Sequence, residues 1–394
     1  MSIAVSPVHF TPHRAPVGEV RLVDPALLLS KPQGLMVEYT SRCNLRCKYC
    51  SKSNPGDDQI PGRDMDMSGA TIDQALAVIA RERFSELLLA GTGETTFHKD
   101  WIRDLPRLIE AGRAANPRAF IHINSNFAMK YGDAEFAVLS QLDGIMISID
   151  TADRDLTRTM RAKSDLSLIV YNIVRLKAWC EAHGVRMPRL TVNATIYAEA
   201  ALGIYDLAVM LASLPISHLS LSDLYEFEAV QLNGIRPVGL EDPARFATSV
   251  QMIQKAINFA QTRKAYSLSV QPHLMERINA LILQMQSGGK AVAQEEVVEE
   301  AAASGSRTKM CTQPWTRFTL AANGALFPCC VTDMPAVGNV HEAGEGIDGP
   351  RMQAFRRDLL LGQVPAACQA CSNAADCSTQ ELEAQVRAIV AAPH

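Results

Sequence analysis

The sequence predicts an α/β fold: a partial (β/α)6 TIM-like barrel, then a small cysteine-rich domain with a β-hairpin and a C-terminal helix. Three observations predict it. Strand-like apolar runs alternate with helix-length amphipathic stretches over residues 35–222, the pattern of a parallel sheet with covering helices. The ten cysteines gather at two places, three at 43–50 and six between 311 and 377, with Cys180 alone between them. An Asn323-Gly324 pair separates two short apolar runs, a strong hairpin signal.

In chain order, residues 1–34 carry several prolines and no clear periodicity. They are expected to form an extended N-terminal arm, too short and irregular for a separate peptide-recognition module. Six strands are expected at 35–40, 86–91, 120–124, 144–149, 190–196 and 218–222. Helical patterns fall between them at 69–83, 101–115, 133–141, 166–183 and 205–214. Six strand–helix units make an open three-quarter barrel, with the closed eight-stranded barrel as the alternative. Two trailing helices, 242–263 and 273–286, complete a core of residues 35–287. Residues 288–308 are small, polar and acidic, which reads as a linker whose glutamates face solvent. A new composition begins there, so the second domain is expected at 309–394.

The bulk numbers narrow the function classes. A length of 394 residues exceeds one ordinary domain, and 47% hydrophobic residues suffice for a large core. Lys plus Arg number 38 against 42 Asp plus Glu, a net charge of −4, so no basic field for nucleic acid or an anionic membrane follows. The first residues lack a basic segment followed by a long apolar one, and no apolar run reaches the length of a membrane span. A cytoplasmic protein is expected, with no nucleic-acid or membrane partner. Ten cysteines in such a chain point to metal rather than disulfides.

Cys43, Cys47 and Cys50 stand at C-x3-C-x2-C spacing directly after the first strand-like run. A loop this short can place three thiolates on one corner of an iron–sulfur cube, each on a different iron, and supplies no fourth. Such clusters usually take four thiolates, so one iron is left open. An open position marks a chemical rather than a structural metal site. A zinc knuckle or a disulfide pair is the alternative.

The spacing, with Tyr49 just before the last cysteine, resembles the signature of the radical SAM enzymes. The resemblance implies a [4Fe-4S] cluster whose open iron chelates S-adenosylmethionine (SAM) and releases a 5′-deoxyadenosyl radical. It also implies a low-potential electron donor, flavodoxin- or ferredoxin-like. The second strand ends in Gly91-Thr-Gly-Glu94, similar to the family's element in which backbone and Glu94 would bind the SAM ammonium. An ammonium wants a carboxylate, and Gly91 and Gly93 would let backbone approach closely. Asn126 after the third strand and Ser148 ending the fourth suit ribose hydroxyls, or cap strand ends. By the same resemblance Arg161 would meet the SAM carboxylate, and Asn193 on the fifth strand would reach SAM.

Asp223, Tyr225 and Glu226 follow the sixth strand on the rim, where they could bind substrate or move a proton; solvated rim acids are the alternative. His98 and His122 read as structural histidines, and Cys180 as a small buried hydrophobe.

In the tail, the hairpin brings Cys311 back towards Cys329, and Cys368-Gln-Ala-Cys371 can close the square. This resembles the SPASM and twitch auxiliary-cluster domains of radical SAM enzymes, including the Gly-x4-Cys element at Gly324–Cys329. One auxiliary [4Fe-4S] cluster is implied, on Cys311, Cys329, Cys368 and Cys371. Cys377 can replace one of these, as can Cys330, and zinc is the structural alternative. The resemblance leaves the substrate open. A small polar natural-product precursor, oxidised or rearranged at carbon, is the first expectation. A ribosomal peptide altered at a side chain or α-carbon is the second, and a non-catalytic iron–sulfur or zinc scaffold the third.

Overall fold

The computed structural model describes residues 23–53, 64–224, 228–286, 306–330, 334–369, 371 and 374–392. Its strands are β1 (Gly34–Val37), β2 (Arg46–Cys47), β3 (Glu86–Leu89), β4 (Phe120–Ser125), β5 (Gly144–Ser148), β6 (Arg161–Ala162) and β7 (Arg189–Ile196). There follow β8 (Ile216–Asp223), β9 (Ser267–Val270), β10 (Arg307–Lys309), β11 (Arg317–Leu320), β12 (Ala325–Phe327), β13 (Gly338–Asn339) and β14 (Asp376–Ser378). Ten of them form one sheet in the order β13-β12-β11-β1-β3-β4-β5-β7-β8-β9.

The six expected barrel strands are β1, β3, β4, β5, β7 and β8, adjacent in that order and parallel throughout. Two parallel neighbours extend them, β9 beside β8 and β11 beside β1. The Asn-Gly hairpin is β11–β12, with Thr319 opposite Phe327, and β13 pairs onto it. The cysteine-rich segment therefore continues the barrel's own sheet. Among the described residues β9 and β13 end the sheet, so the arc stays open.

Alternation decides which side chains reach the site, because successive residues of a strand face opposite ways. Ile121, Ile123, Ile145, Ile147, Ile149, Val192, Ala194, Ile196, Leu219 and Leu221 are buried against the helices Trp101–Ala115, Asp133–Leu139 and Leu166–His183 and their neighbours. Each such isoleucine contributes roughly 1.5–3 kcal/mol by burial. The residues between them, among them His122, Asn124, Asn126, Ser148, Asp150, Asn193, Thr195, Ser220 and Ser222, line the inner face.

The first strand is shorter than expected and ends at Val37. Thr40 forms only a bridge to Asp66, because the chain is already leaving the sheet for the cysteine loop. Residues 1–22 of the arm and 288–305 of the linker lie outside the described residues. Behind them, Leu27 and Leu28 pack on Trp315, Leu359, Leu360, Leu382 and Val386. Among the described residues no helix is long and apolar enough to cross a membrane.

Candidate functional site

The cysteine loop sits at the carboxyl end of β1, where parallel barrels collect their chemistry. Its entry is pinned by Ser41 N donating to Met65 O at 2.9 Å and by the Arg42–Asp66 ion pair at 3.0 Å. Its exit is pinned by the β2–β6 ladder, which sets Cys47 opposite Arg161. Cys43, Cys47 and Cys50 are free thiols, all part-buried. Burial pushes Cys43 up to about 11 and Cys47 up to about 12, and the neighbouring thiols add to this. Arg161 opposes the shift at Cys47.

The donor set fits a four-iron cluster. Cys43, Cys47 and Cys50 are three free thiols within one eight-residue stretch, and a cube takes each thiolate on a different corner. Two glycines give the loop its bed. A Cβ on Gly93 would run into Thr40 O and stand 2.5 Å from Arg42 O, and one on Gly91 would lie 2.7 Å from Glu38 Cβ. Nearby, Asn124 Oδ1 and Tyr197 OH are buried with no hydrogen-bond partner among the described residues. They are unspent polar atoms on the inner face.

Several side chains have partners other than those expected. Glu94 is 2% exposed, and its carboxylate accepts from Thr96 N (3.2 Å), Thr96 Oγ1 (2.8 Å), Ser125 Oγ (2.8 Å) and Asn126 N (2.7 Å). Burial raises its pKa while these donors pull it down. Glu94 thus brackets β3 to β4. The Asn126 amide donates to Asn44 Oδ1 (2.8 Å) and accepts from Ala128 N (2.9 Å), so it supports the cysteine loop.

Arg161 forks onto Asp150, with Nε and Nη2 at 2.8 and 2.7 Å, and Tyr49 OH donates to the same carboxylate at 2.5 Å. Burial works against the Arg161 charge, and Asp150 overrides it to hold its pKa well above the usual value. Arg161 is therefore ion-paired within the protein. Ser148 and Asn193 are register partners on the inner face, with Ser222 Oγ donating to Asn193 Oδ1 at 2.5 Å.

Asp223 also departs from the rim reading. It shares strand parity with Leu219 and Leu221, so it faces the helix layer. There it pairs with His273 (3.0 Å) and Arg277 of the helix Pro272–Gln286. That geometry makes it an anchor for the helix. Tyr225 and Glu226 lie outside the described residues.

In the tail, Cys311 lies within electrostatic reach of Cys368, Cys371 and Cys330, and Cys330 within reach of Cys371. Burial drives Cys311 up to about 11. Cys329 and Cys330 wall a cavity of about 60 Å³ with Met36, Leu88, Arg317 and Thr319. Cys377 is set apart: it pairs with Thr308 in the β10–β14 ladder, beside Glu381 and against the Trp315 cluster. A larger cavity, about 590 Å³ around Arg113, Asp143 and Arg186, lies at the amino ends of the strands, at the opposite end of the sheet from the Cys43–Cys50 loop.

Sequence reasoning noted Asp150 only as a strand-end polar group suited to ribose hydroxyls, not as the partner of Tyr49 and Arg161, and it missed Glu38 and Glu86. Glu38 accepts from Thr92 N (3.1 Å) and Thr92 OH (2.5 Å) beneath the glycine turn. Glu86 joins His122 (2.9 Å) to Arg317 on the inner face. Strand parity was the available signal for all three.

Residues 37–178 match the model of the radical SAM superfamily, and residues 311–373 that of the SPASM iron-sulfur cluster-binding domain. The chain belongs to the radical SAM superfamily. This radical SAM protein accordingly takes a SAM-binding [4Fe-4S] cluster, SAM and an auxiliary iron–sulfur cluster. It is 26% identical over 210 residues to the tungsten-containing aldehyde ferredoxin oxidoreductase cofactor-modifying protein of Pyrococcus furiosus. That match covers 51% of this chain and 54% of the relative, so the chain spans about half the length of that curated protein. Streptococcus suis SuiB bound to S-adenosylmethionine superposes with a TM-score of 0.54 at 14% identity, covering 86% of this chain and 71% of SuiB. SuiB is also known bound to its precursor peptide SuiA. Native anSMEcpe with bound AdoMet gives a TM-score of 0.53 at 14% identity, covering 86% of both chains. At such identities the likeness is one of fold: an open α/β arc with an appended cysteine-rich segment.

Proposed function

We propose that this enzyme holds its SAM-cleaving cluster on Cys43, Cys47 and Cys50 and abstracts hydrogen from a small polar natural-product precursor, which is then oxidised or rearranged at that carbon. When bound, the cluster and SAM supply a 5′-deoxyadenosyl radical. The chain contributes the bed and the wall. Gly91 and Gly93 let the loop settle on the end of β3, Asn126 supports Asn44, and the inner face orients what enters. The observation that carries the substrate reading is that face. Ser148, Asn193, Thr195, Ser220 and Ser222 present neutral hydroxyl and amide groups, which suit a polar, uncharged ligand.

We assign the auxiliary cluster to Cys311, Cys368 and Cys371 with Cys330 or Cys329. From there it would take an electron from a substrate radical. Residues 35–287 would act as the radical core and 309–394 as the auxiliary domain, served by a low-potential electron carrier.

A second reading, a ribosomal-peptide maturase, is supported by the peptide-bound SuiB relative. Anaerobic reconstitution with dithionite and SAM tests the shared step. The parent should form 5′-deoxyadenosine and Cys47→Ala should not. Equal rates in the two proteins would move SAM cleavage away from the Cys43–Cys50 loop, and none in the parent would leave a non-catalytic iron–sulfur scaffold. A short precursor peptide encoded beside the gene and converted by the enzyme would select the second reading.

A further inference from the structure

We propose that Asp150 is the positioning residue of the cysteine loop, a single buried carboxylate that clamps Tyr49 and the Cys47–Arg161 ladder to the ends of β5 and β7. Asp150 is 3% exposed and Arg161 8%. The two carboxylate oxygens take four donors. Oδ2 accepts from Tyr49 OH (2.5 Å) and Arg161 Nε (2.8 Å), and Oδ1 from Arg161 Nη2 (2.7 Å) and Thr195 N (3.0 Å).

The three donor residues bring three different pieces of chain. Tyr49 directly precedes Cys50. Arg161 stands opposite Cys47, and the next rung is Lys48 N donating to Met160 O at 2.9 Å. Thr195 belongs to β7, the register neighbour of β5. The Arg161 guanidinium also lies 5.4 Å from the centre of the Tyr49 ring. Two of the three thiol-bearing residues are thereby tied to the barrel through one carboxylate.

A carboxylate is needed there rather than an amide. Arg161 is buried, and without a counter-charge it would be an unpaired cation, which a folded protein tolerates poorly. The ion pair is internally neutral, so the loop gains an anchor without adding net charge beside the thiols. The clamp deepens the proposed function and rests on it only in that the loop thiols hold the SAM-cleaving cluster.

The test uses the full chain with Asp150→Asn and Tyr49→Phe. Backbone hydrogen exchange is followed by mass spectrometry in the iron-free protein. The electron paramagnetic resonance spectrum of the reduced, reconstituted protein is recorded with and without SAM. Asp150→Asn should raise exchange in residues 46–50 and 160–163 by about tenfold or more, because the opening of that unit alone is eased. Exchange in 121–124 and 145–147 should stay as in the parent. Tyr49→Phe, which keeps the Arg161 pair, should show a smaller rise in 46–50. In Asp150→Asn the SAM-induced change in the reduced spectrum should be lost while the auxiliary signal persists.

Unchanged exchange at 46–50 and 160–163 in both variants would overturn the clamp. So would an even rise across all strands, which would make Asp150 an ordinary core group. If the parent forms no 5′-deoxyadenosine, the functional reading fails, and the exchange comparison still decides the clamp.

Discussion

Gly93 lies directly beneath Thr40: a Cβ on Gly93 would run into the Thr40 carbonyl oxygen and stand 2.5 Å from that of Arg42. The next residue fastens the same contact, with Glu94 N donating to Arg42 O at 2.8 Å. The end of β3 and the start of the cysteine loop thus touch backbone to backbone. Neither backbone can yield without releasing its own hydrogen bonds. Gly93→Ala should therefore cost about 1–3 kcal/mol of stability, the range for overpacking. After reconstitution it should also lose the loop's iron while keeping the tail's. Denaturant titration and iron and sulfide assays check this; parent-like iron content would show that the loop moves freely away.

Cys330 and Cys377 separate the possible ligand sets of the tail. In a Cys43→Ala, Cys47→Ala, Cys50→Ala background only the auxiliary site should fill, to about four irons per chain for a cubane cluster. Cys377→Ala should keep that content, since Cys377 sits in the β10–β14 ladder beside Glu381. Cys311→Ala and Cys330→Ala should each lower it and weaken the absorbance near the cluster band. Retention in Cys330→Ala with loss in Cys329→Ala would return the ligand to Cys329.

The legible parts were those written locally. Ile145, Ile147 and Ile149 announce a strand by alternation, and Cys43, Cys47 and Cys50 announce a cluster because all three lie in one loop. The fold of β11–β12 followed from Asn323-Gly324. What stayed hidden was long-range. The donors that occupy Glu94 come from Ser125 and Asn126, and Arg161 meets an aspartate one strand back. Strand β9, Ser267–Val270, is short, and its inner face carries two serines, so its apolar signal is weak. The partners of Asp223 were hidden too, since its pairing with His273 and Arg277 reaches across to a helix about fifty residues on.

Acid sensitivity should trace to Asp104, which is fully buried and accepts from Tyr39 OH at 2.6 Å and from Arg103 at 2.9 and 2.8 Å. Burial alone would raise its pKa, but Arg103, Tyr39 and Arg107 outweigh it and lower the value from 3.8 to about 2. A depressed carboxyl contributes stability that is present above its unfolded value and lost as pH falls through its folded one. The contribution, about 2 kcal/mol by linkage, should disappear between roughly pH 4 and pH 2. Asp104→Asn should remove this limb. Urea midpoints of parent and variant, far apart near neutrality, should converge in that interval; a constant gap would assign the acid limb elsewhere.

Arg356 gives the last prediction, because it has no exposure to solvent and joins three separate stretches of chain. Its Nε donates to Pro314 O (2.8 Å), Nη1 to Leu28 O (2.5 Å) and Asp348 Oδ1 (2.6 Å), and Nη2 to Ile347 O (2.6 Å). Asp348 in turn accepts from Ser30 N (2.7 Å) and Ser30 Oγ (2.9 Å). Burial lowers the Arg356 pKa, and the Asp348 charge offsets part of that. Only a planar fork reaches all four acceptors, so Arg356→Lys is not conservative here. Arg356→Met should destabilise by about 3–5 kcal/mol, the range for breaking a buried charged group's partnerships, and Arg356→Lys by somewhat less. The loss should be local first: exchange should rise in residues 27–33 and 312–316, where Lys31 N meets Trp315 O at 2.8 Å, before β4 or β5 respond. If both variants left those amides protected, the Trp315 cluster alone would suffice to hold the arm, and Arg356 would be dispensable.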